Sequence, residues 1–269
     1  ESMALLEEGG IKIPGGKRTL LVPARNFPVE VLFLRDDDIP ESVASGVADV
    51  GIVGLNEVME KRCPVGILKK LGFGKCRLSL AIPQDIDYQD RNWFSGKKIA
   101  TSYPGILSDY LHKNGIVSDI HVITGSVEIA PGIRLADAIF DIVSSGSTLV
   151  SNRLKEVETV VESEAVLIGT DSISPEKRGI LDELLFRFDS VQAADDKKYI
   201  LMNVPQKKLN DVLSVLPGIK SPTVMPLADK EWCSVHTVLD EKCFWEIINR
   251  LKTAGAEGIL VLDIEKMIL

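Results

Sequence analysis

The run Asp141-Ile142-Val143-Ser144-Ser145-Gly146-Ser147-Thr148 holds the densest chemistry in this 269-residue sequence. An apolar strand ends in an acid, a loop of small hydroxyl residues and one glycine follows, and a helix is expected from Leu149. This order aims several backbone N–H groups at one point. Ser144, Ser145, Ser147 and Thr148 add hydroxyl donors, and Gly146 lets the backbone approach a ligand closely. A phosphate monoester would satisfy donors that a helix N-terminus otherwise leaves to water. Carboxylates beside such a cradle repel phosphate, so Asp141, with Asp137 four residues upstream, makes sense if the ligand also carries hydroxyls. The 2′- and 3′-hydroxyls of a ribose suit a carboxylate. The loop has neither the lysine of a Walker A motif nor the spacing of a Rossmann fingerprint. An ordinary serine-rich loop with a helix cap is the competing reading of the same residues.

The rest of the composition excludes more than it suggests. Cys63, Cys76, Cys233 and Cys243 form no C-x-x-C pair, and His112, His121 and His236 lack zinc-ligand spacing, so a structural zinc site is not expected. Few, scattered cysteines fit a reducing cytoplasm, with Cys76 and Cys233 as packing residues and His236 as a structural histidine. No Ser-His-Asp or Cys-His constellation stands out. A formal net charge of −8 argues against a general nucleic-acid binder. No apolar run approaches the roughly 20 residues that span a bilayer. The sequence opens at Glu1-Ser2-Met3-Ala4-Leu5-Leu6, which reads as mid-helix, so any targeting peptide would lie upstream.

The elements that must position the loop follow an α/β rhythm. A helix over 1–8 is ended by Gly9-Gly10. Strands are expected at 18–22, 29–34, 49–54, 78–82, 98–101, 120–123 and 140–143. Helices are expected from Asp38, a candidate N-cap, to about Ser45, then over 106–114, over 130–138 and from Leu149 onward. Residues 84–165 form a second α/β block with its own core. The polar segment 192–198 reads as a linker. Beyond it, strand 199–204, helix 206–215, strands 221–225 and 232–239, helix 241–254 and strand 258–263 follow the β-α-β-β-α-β order of a ferredoxin-like module.

Several blocks then combine. Glu128-Ile129-Ala130-Pro131-Gly132, followed by Leu135-Ala136-Asp137-Ala138-Ile139 and the loop itself, resembles the diagnostic block of ATP phosphoribosyltransferases. Leu34-Arg35-Asp36-Asp37-Asp38-Ile39-Pro40, Ala48–Gly54, Gly72–Leu78 and Ile99–Pro104 are similar to further blocks of that family. Leu216-Pro217-Gly218-Ile219-Lys220-Ser221-Pro222-Thr223 is similar to the effector segment of its long, histidine-regulated form. The blocks span nearly the whole chain in the right order.

The resemblance implies two periplasmic-binding-protein-like α/β catalytic domains with the active site in their cleft, plus a C-terminal ferredoxin-like regulatory domain. Applied here, 1–83 with 166–190 form catalytic domain I, 84–165 form catalytic domain II, and 191–269 form the regulatory domain. The implied reaction is attack of adenine N1 of ATP on C1 of phosphoribosyl pyrophosphate (PRPP), releasing pyrophosphate with the help of Mg²⁺. By resemblance, Ser144, Ser145, Gly146, Ser147 and Thr148 take the PRPP 5′-phosphate and Asp141 the ribose hydroxyls. Glu128 and Asp137 lie near the same substrate. Arg35, Asn56 and Tyr103 serve ATP, although Arg35 could instead pair with Asp36–Asp38 and Tyr103 could be a packing residue. Asn203, Ile219, Ser221, Thr223 and Gly258 would hold L-histidine as allosteric inhibitor, in a dimer or hexamer. The family's opening strand and K-G-R-L-type basic loop have no counterpart here, which implies a cleft missing one wall. The rival reading is a non-catalytic, two-lobed small-ligand-binding protein. A short-form subunit with a separate regulatory partner is disfavoured by the extra C-terminal residues.

Overall fold

The computed structural model describes residues 1–15, 19–217 and 222–268. They form two compact units, residues 1–2 with 13–181 and residues 3–12 with 182–269. The chain opens with α1 (Ser2–Glu8), which belongs to the second unit from Met3 onward.

Within the first unit, β1 (Leu21–Pro23) and β2 (Glu30–Leu32) form an antiparallel ribbon. A 3-10 turn over Asp36–Asp38 leads into α2 (Ile39–Ala44). Asp38 occupies the N-cap position as expected, but its side chain makes no capping bond, because the preceding 3-10 turn already holds its backbone in a helical conformation. Then come β3 (Val50–Gly54), α3 (Leu55–Lys61) and β4 (Gly66–Lys70). After the second lobe the chain returns as β10 (Ala165–Gly169), which lies between β3 and β4 in a three-stranded antiparallel sheet. Val43, Val53, Val166 and Ile168 form this first lobe's core.

The second lobe is a five-stranded sheet of β5 (Cys76–Pro83), β6 (Lys98–Thr101), β7 (Asp119–Val122), β8 (Ala138–Val143) and β9 (Leu154–Ser163), with α4 (Pro104–Lys113) and the short α5 (Ser147–Ser151). Its order is β7-β6-β8-β5-β9, with β6 parallel to both β7 and β8. Successive residues of a strand face opposite sides, and β8 uses both. Ala138 and Phe140 join the core under α4, while Ile139 and Val143 join the core against α5 and the 3-10 turn Val127–Ile129.

Three expectations are corrected here. Residues 130–137 are turn and irregular loop, not helix, and Ala138 already opens β8. Pro131 lacks an N–H, and Arg134 adopts a left-handed conformation (φ 60°), so the backbone cannot propagate a helical ladder. The helix expected from Leu149 onward starts at Ser147 and stops at Ser151, and the long strand β9 follows. The expected linker over 192–198 is two residues long, because α6 (Pro175–Ala194) runs up to Ala194 and β11 (Lys197–Pro205) starts three residues later.

The second unit carries the last part of α6, β11, α7 (Leu209–Val215), β12 (Thr223–Pro226), β13 (Trp232–Asp240), α8 (Glu241–Ala254) and β14 (Glu257–Asp263). The strands form an antiparallel sheet in the order β12-β13-β11-β14. This is the ferredoxin-like arrangement expected from the element order. Its core of Ile200, Met202, Val204, Val212, Val235, Phe244, Ile247 and Leu251 lies between the sheet and the two helices. No helix among the described residues is long and apolar enough to cross a membrane.

Candidate active site

Strands β6 and β8 run parallel, so the segments that follow them emerge at the same end of the sheet. Ligand crevices in α/β sheets lie at such carboxyl ends. Here the segment after β8 is the serine loop and the segment after β6 is Ser102-Tyr103.

The serine loop lines a cavity of about 280 Å³ with Glu128, Asp141 and Leu149. Gly146 caps α5 at φ 80°, a left-handed conformation that glycine adopts without strain. Ser145 Oγ and Ser147 Oγ pair at 2.9 Å, and Ser145 Oγ also receives the Ser147 N–H at 3.4 Å. Because α5 is little more than one turn long, its macrodipole is small. The cradle therefore depends on individual amides and hydroxyls more than on the helix as a whole. Asp141 Oδ1 accepts the Ile142 N–H at 2.8 Å. Burial raises the Asp141 carboxyl above its usual range, against that hydrogen bond, and the nearby Glu128 charge raises it further.

A second cavity, of about 290 Å³, is lined by both lobes, with Asp36, Gly54, Asn56 and Glu57 from one and Cys76, Tyr103 and Ile142 from the other. Ile142 borders both cavities. Asp141 follows Ile139 and Val143 on one face of β8, and Ile142 follows Phe140 on the other, so the strand's two-residue period sets one cavity on each face.

The second cavity's wall is a hydrogen-bonded group. Tyr103 Oη donates to Glu57 Oε1 at 2.9 Å, and Asn56 Nδ2 lies 3.0 Å from Glu57 Oε1 and 3.3 Å from Tyr103 Oη. Ser163 Oγ donates to Asn56 Oδ1 at 2.8 Å and receives the Asn56 N–H at 3.1 Å. Burial raises both the Glu57 carboxyl and the Tyr103 phenol, and the Glu57 charge raises the phenol further, so Tyr103 is a donor and not a base. Gly54 is required by close approach, because a Cβ there would sit 2.4 Å from Asn56 Oδ1.

The structure gathers Asp141, Glu128, Ser144, Ser145, Gly146 and Thr148 around one cavity, with Ser147 outside its lining and tied to Ser145, and Asn56 with Tyr103 at the neighbouring one. It does not bring Asp137 to the loop. Asp137 precedes β8 at the opposite end, roughly 20 Å of extended strand from Ser144. There its carboxylate accepts the Lys98 N–H at 2.8 Å and joins β6 to β8. Arg35 lines neither cavity among the described residues. It is highly exposed, with Nε 3.4 Å from Asp37 Oδ1, which is the ion-pair alternative.

In the ferredoxin-like unit, Asn203 and Gly258 are neighbours. Gly258 has φ 54°, and a Cβ there would sit 3.4 Å from Asn203 Nδ2. Thr223 opens β12 opposite His236, three strand spacings or about 14 Å from β14. Ile219 and Ser221 lie outside the described residues. His236 is satisfied by Tyr199 Oη at 2.7 Å and Ser234 Oγ at 2.9 Å, as a structural histidine should be.

Two groups escaped the sequence reading. Arg77 Nη1 donates to the Ser144 carbonyl at 3.1 Å, and its guanidinium pairs in bidentate fashion with Glu156 at 2.6 Å for each bond. Ser79 Oγ donates to the same Glu156 at 2.7 Å. This set braces the serine loop from behind. Glu57 is the other group. Arg77 and Glu156 are 79 residues apart, and no local pattern announces such a pair.

These observations define a class: a two-lobed α/β protein with one cavity lined by a half-buried carboxylate and a hydroxyl-rich loop, a second beside it walled by Asn56, Glu57 and Tyr103, and a ferredoxin-like unit in the same chain. The family model for ATP phosphoribosyltransferase matches residues 35–190, and that for its C-terminal domain matches residues 194–266. The chain belongs to the ATP phosphoribosyltransferase family, in its long form. An ATP phosphoribosyltransferase of Bacteroides fragilis is 70% identical over 269 residues, covering 100% of this chain and 95% of the relative. One from Cytophaga hutchinsonii is 57% identical over 268 residues, covering 100% of this chain and 94% of the relative. Among solved structures, the ATP phosphoribosyl transferase (HisG:HisZ) complex from Thermotoga maritima matches with a TM-score of 0.60 and 25% identity, over 70% of this chain and 92% of that one.

Proposed function

We propose that this chain transfers the 5-phosphoribosyl group of PRPP to N1 of ATP with release of pyrophosphate, the first step of L-histidine biosynthesis. The observation that carries this reading is the half-buried Asp141 carboxylate beside the hydroxyl-rich loop in one cavity. A site for phosphate alone would not place an acid there. Ser144, Ser145, Gly146, Ser147 and Thr148 hold the 5′-phosphate through amides and hydroxyls. Asp141 accepts from the ribose hydroxyls, with Glu128 beside it. Asp137 is left out, because it bonds the far end of the sheet.

Adenine N1 carries a free lone pair at neutral pH, so the reaction needs no strong general base. The protein's contribution is orientation and stabilisation of the departing pyrophosphate. Tyr103 offers an aromatic edge to the nucleotide, its hydroxyl proton being donated to Glu57. Both amide hydrogens of Asn56 are engaged within the protein, so Asn56 shapes the wall more than it offers a donor. Arg35 reaches for the ATP or pyrophosphate oxygens, because an exposed ion pair such as Arg35–Asp37 holds it by no more than about 1 kcal/mol.

Mg²⁺ neutralises the leaving pyrophosphate when bound. The hard oxygen donors Asp141 and Glu128 would hold it through water. That donor set matches an ion carried mainly by substrate oxygens.

The proposed division is catalytic domain I from 1–83 and 166–190, catalytic domain II from 84–165, and a regulatory domain from 191–269. In the last, Asn203 and Gly258 hold L-histidine, together with Ile219, Ser221 and Thr223 of the effector segment. The chain works as a cytoplasmic homo-oligomer, a dimer or hexamer, inhibited by histidine. Spectrophotometric assay of phosphoribosyl-ATP formation from ATP, PRPP and Mg²⁺, with and without histidine, tests the whole reading. Calorimetry that found a free amino acid or sugar in the cleft and no response to PRPP would return the chain to the non-catalytic alternative.

A further inference from the structure

The N-terminus of α4 is satisfied from the opposite lobe. A helix begins with four N–H groups that lack intrahelical partners. Here the first residue is Pro104, which has none to offer. The Gly105 and Ile106 N–H groups donate to the two carboxylate oxygens of Glu60 at 2.8 and 2.9 Å. The Leu107 N–H donates to the Tyr103 carbonyl at 3.1 Å. One side chain of α3 therefore caps the helix that follows Tyr103, and its negative charge suits that helix end.

Tyr103 is the N-cap residue and has no capping side-chain bond of its own. Its N–H donates to Thr101 Oγ1 at 2.8 Å and its phenol to Glu57. Glu57 and Glu60 are three residues apart on α3 and share a face. That face holds the Tyr103 ring through one carboxylate and its backbone segment through the other. The fit at Gly105 is tight, since a Cβ there would lie 3.0–3.2 Å from the Glu60 carboxylate. Arg62 extends the clasp, with Nη2 donating to the Gly105 carbonyl at 2.9 Å and to Asp109 Oδ2 at 2.8 Å.

We propose that Glu60 is a positioning residue for the nucleotide substrate: by holding the first turn of α4 against α3 it fixes Tyr103 as a preformed wall of the second cavity. Glu60 lines neither cavity and does not touch substrate. It acts through Tyr103, so its loss penalises ATP selectively and leaves the serine loop, on the other face of β8, in place. The inference rests on the assignment of ATP to the second cavity.

The experiment is steady-state kinetics of phosphoribosyl-ATP formation on the full-length protein and on E60Q, E60D and G105A, varying each substrate in turn. Calorimetry of ATP binding and a thermal unfolding midpoint accompany each variant. Glutamine keeps the length of Glu60 but turns an amide N–H₂ toward one of the two donors. Alanine at position 105 keeps Glu60 and removes its room. The expected result is a KM for ATP raised roughly tenfold in E60Q and in G105A, with the KM for PRPP within about twofold of the parent. A double variant combining E60Q with G105A, assayed alongside them, is expected to be no worse than the more severe single one, because both changes break the same contact. An unchanged ATP KM, or equal loss for both substrates in step with the unfolding midpoint, overturns the proposal. Failure of the parent protein to make phosphoribosyl-ATP would instead overturn the reaction, and ATP calorimetry across the same variants would still decide the role of Glu60.

Discussion

Asp141 is held in an environment that disfavours its own charge. Burial raises its pKa, so the folded protein keeps the proton to higher pH than the unfolded chain does. A raised carboxyl stabilises the fold fully below the unfolded pKa, and that contribution is lost as pH rises through the folded pKa. Its ionisation therefore works against stability, and on the proposed reading the charge would serve the substrate. Asp141→Asn is expected to raise the thermal midpoint while lowering kcat/KM for PRPP by about 10²–10³-fold, the range for loss of a preorganised polar contact. Unfolding curves and PRPP saturation kinetics on the same preparation check both halves. Glu156 shows the opposite sign. Its hydrogen bonds to Arg77 depress the carboxyl to about 2, against an ordinary value of 4.5. The stability it contributes is present above 4.5 and is lost as pH falls toward 2. Glu156→Gln is expected to cost about 1–2 kcal/mol at pH 7 and to flatten the acid limb of a stability–pH curve across that window. An acid limb identical to the parent's would show that the pair carries no linkage. None of this was legible from residue types. Asp141 stood out because it precedes a serine loop, but the partial burial and the Glu128 charge that raise its carboxyl depend on tertiary packing around β8. The Arg77–Glu156 pair depends on β5 and β9 lying side by side.

Strands and turns decide where these side chains go. The end of β8 sends Asp141 to one face and Ile142 to the other, which is why two cavities adjoin there. Arg77, on the neighbouring strand β5, braces the loop through the Ser144 carbonyl. Arg77→Lys, which cannot make the bidentate pair with Glu156, is expected to raise the KM for PRPP roughly tenfold and leave the KM for ATP near the parent value. Kinetics with each substrate limiting would read this, and a parallel rise in both constants would assign Arg77 to the sheet as a whole. At the mouth of the second cavity, Gly54→Ala would press a methyl group against Asn56 Oδ1. A loss of about 1–3 kcal/mol is expected in chemical denaturation, because the buried Asn56 group must then break at least one hydrogen bond. Apolar alternation and glycine punctuation located most of these elements in the sequence. They failed at 130–138, where apolar residues recur at helical intervals but Pro131 and the left-handed Arg134 forbid the helix. They also failed after Ser151, where the chain turns back into β9.

At the scale of the whole molecule, the ferredoxin-like unit couples to catalysis only if it senses a ligand. Gly258 is the position to test. Its φ of 54° and its approach to Asn203 leave little tolerance for a branched side chain. Gly258→Val is expected to raise the half-inhibitory histidine concentration at least tenfold, about 1.4 kcal/mol of coupling lost. Inhibition at the parent's histidine concentration would place the effector elsewhere. The residues by themselves determined the α/β rhythm, the β-α-β-β-α-β order of the C-terminal module, the serine loop as a candidate phosphate cradle and, through the ordered blocks, the family. All of these are written in local patterns of hydrophobicity, turn residues and short motifs, which bind neighbours within a few positions. Tertiary structure alone decided that Asp137 belongs to the far end of the sheet, that Arg35 pairs with Asp37, that Glu57 lines the second cavity, and that Glu60 and Arg77 stand behind the two. Each of these is a contact between segments distant in the chain. Such contacts arise from which strands pair and which helix ends meet, and residue spacing carries no record of that.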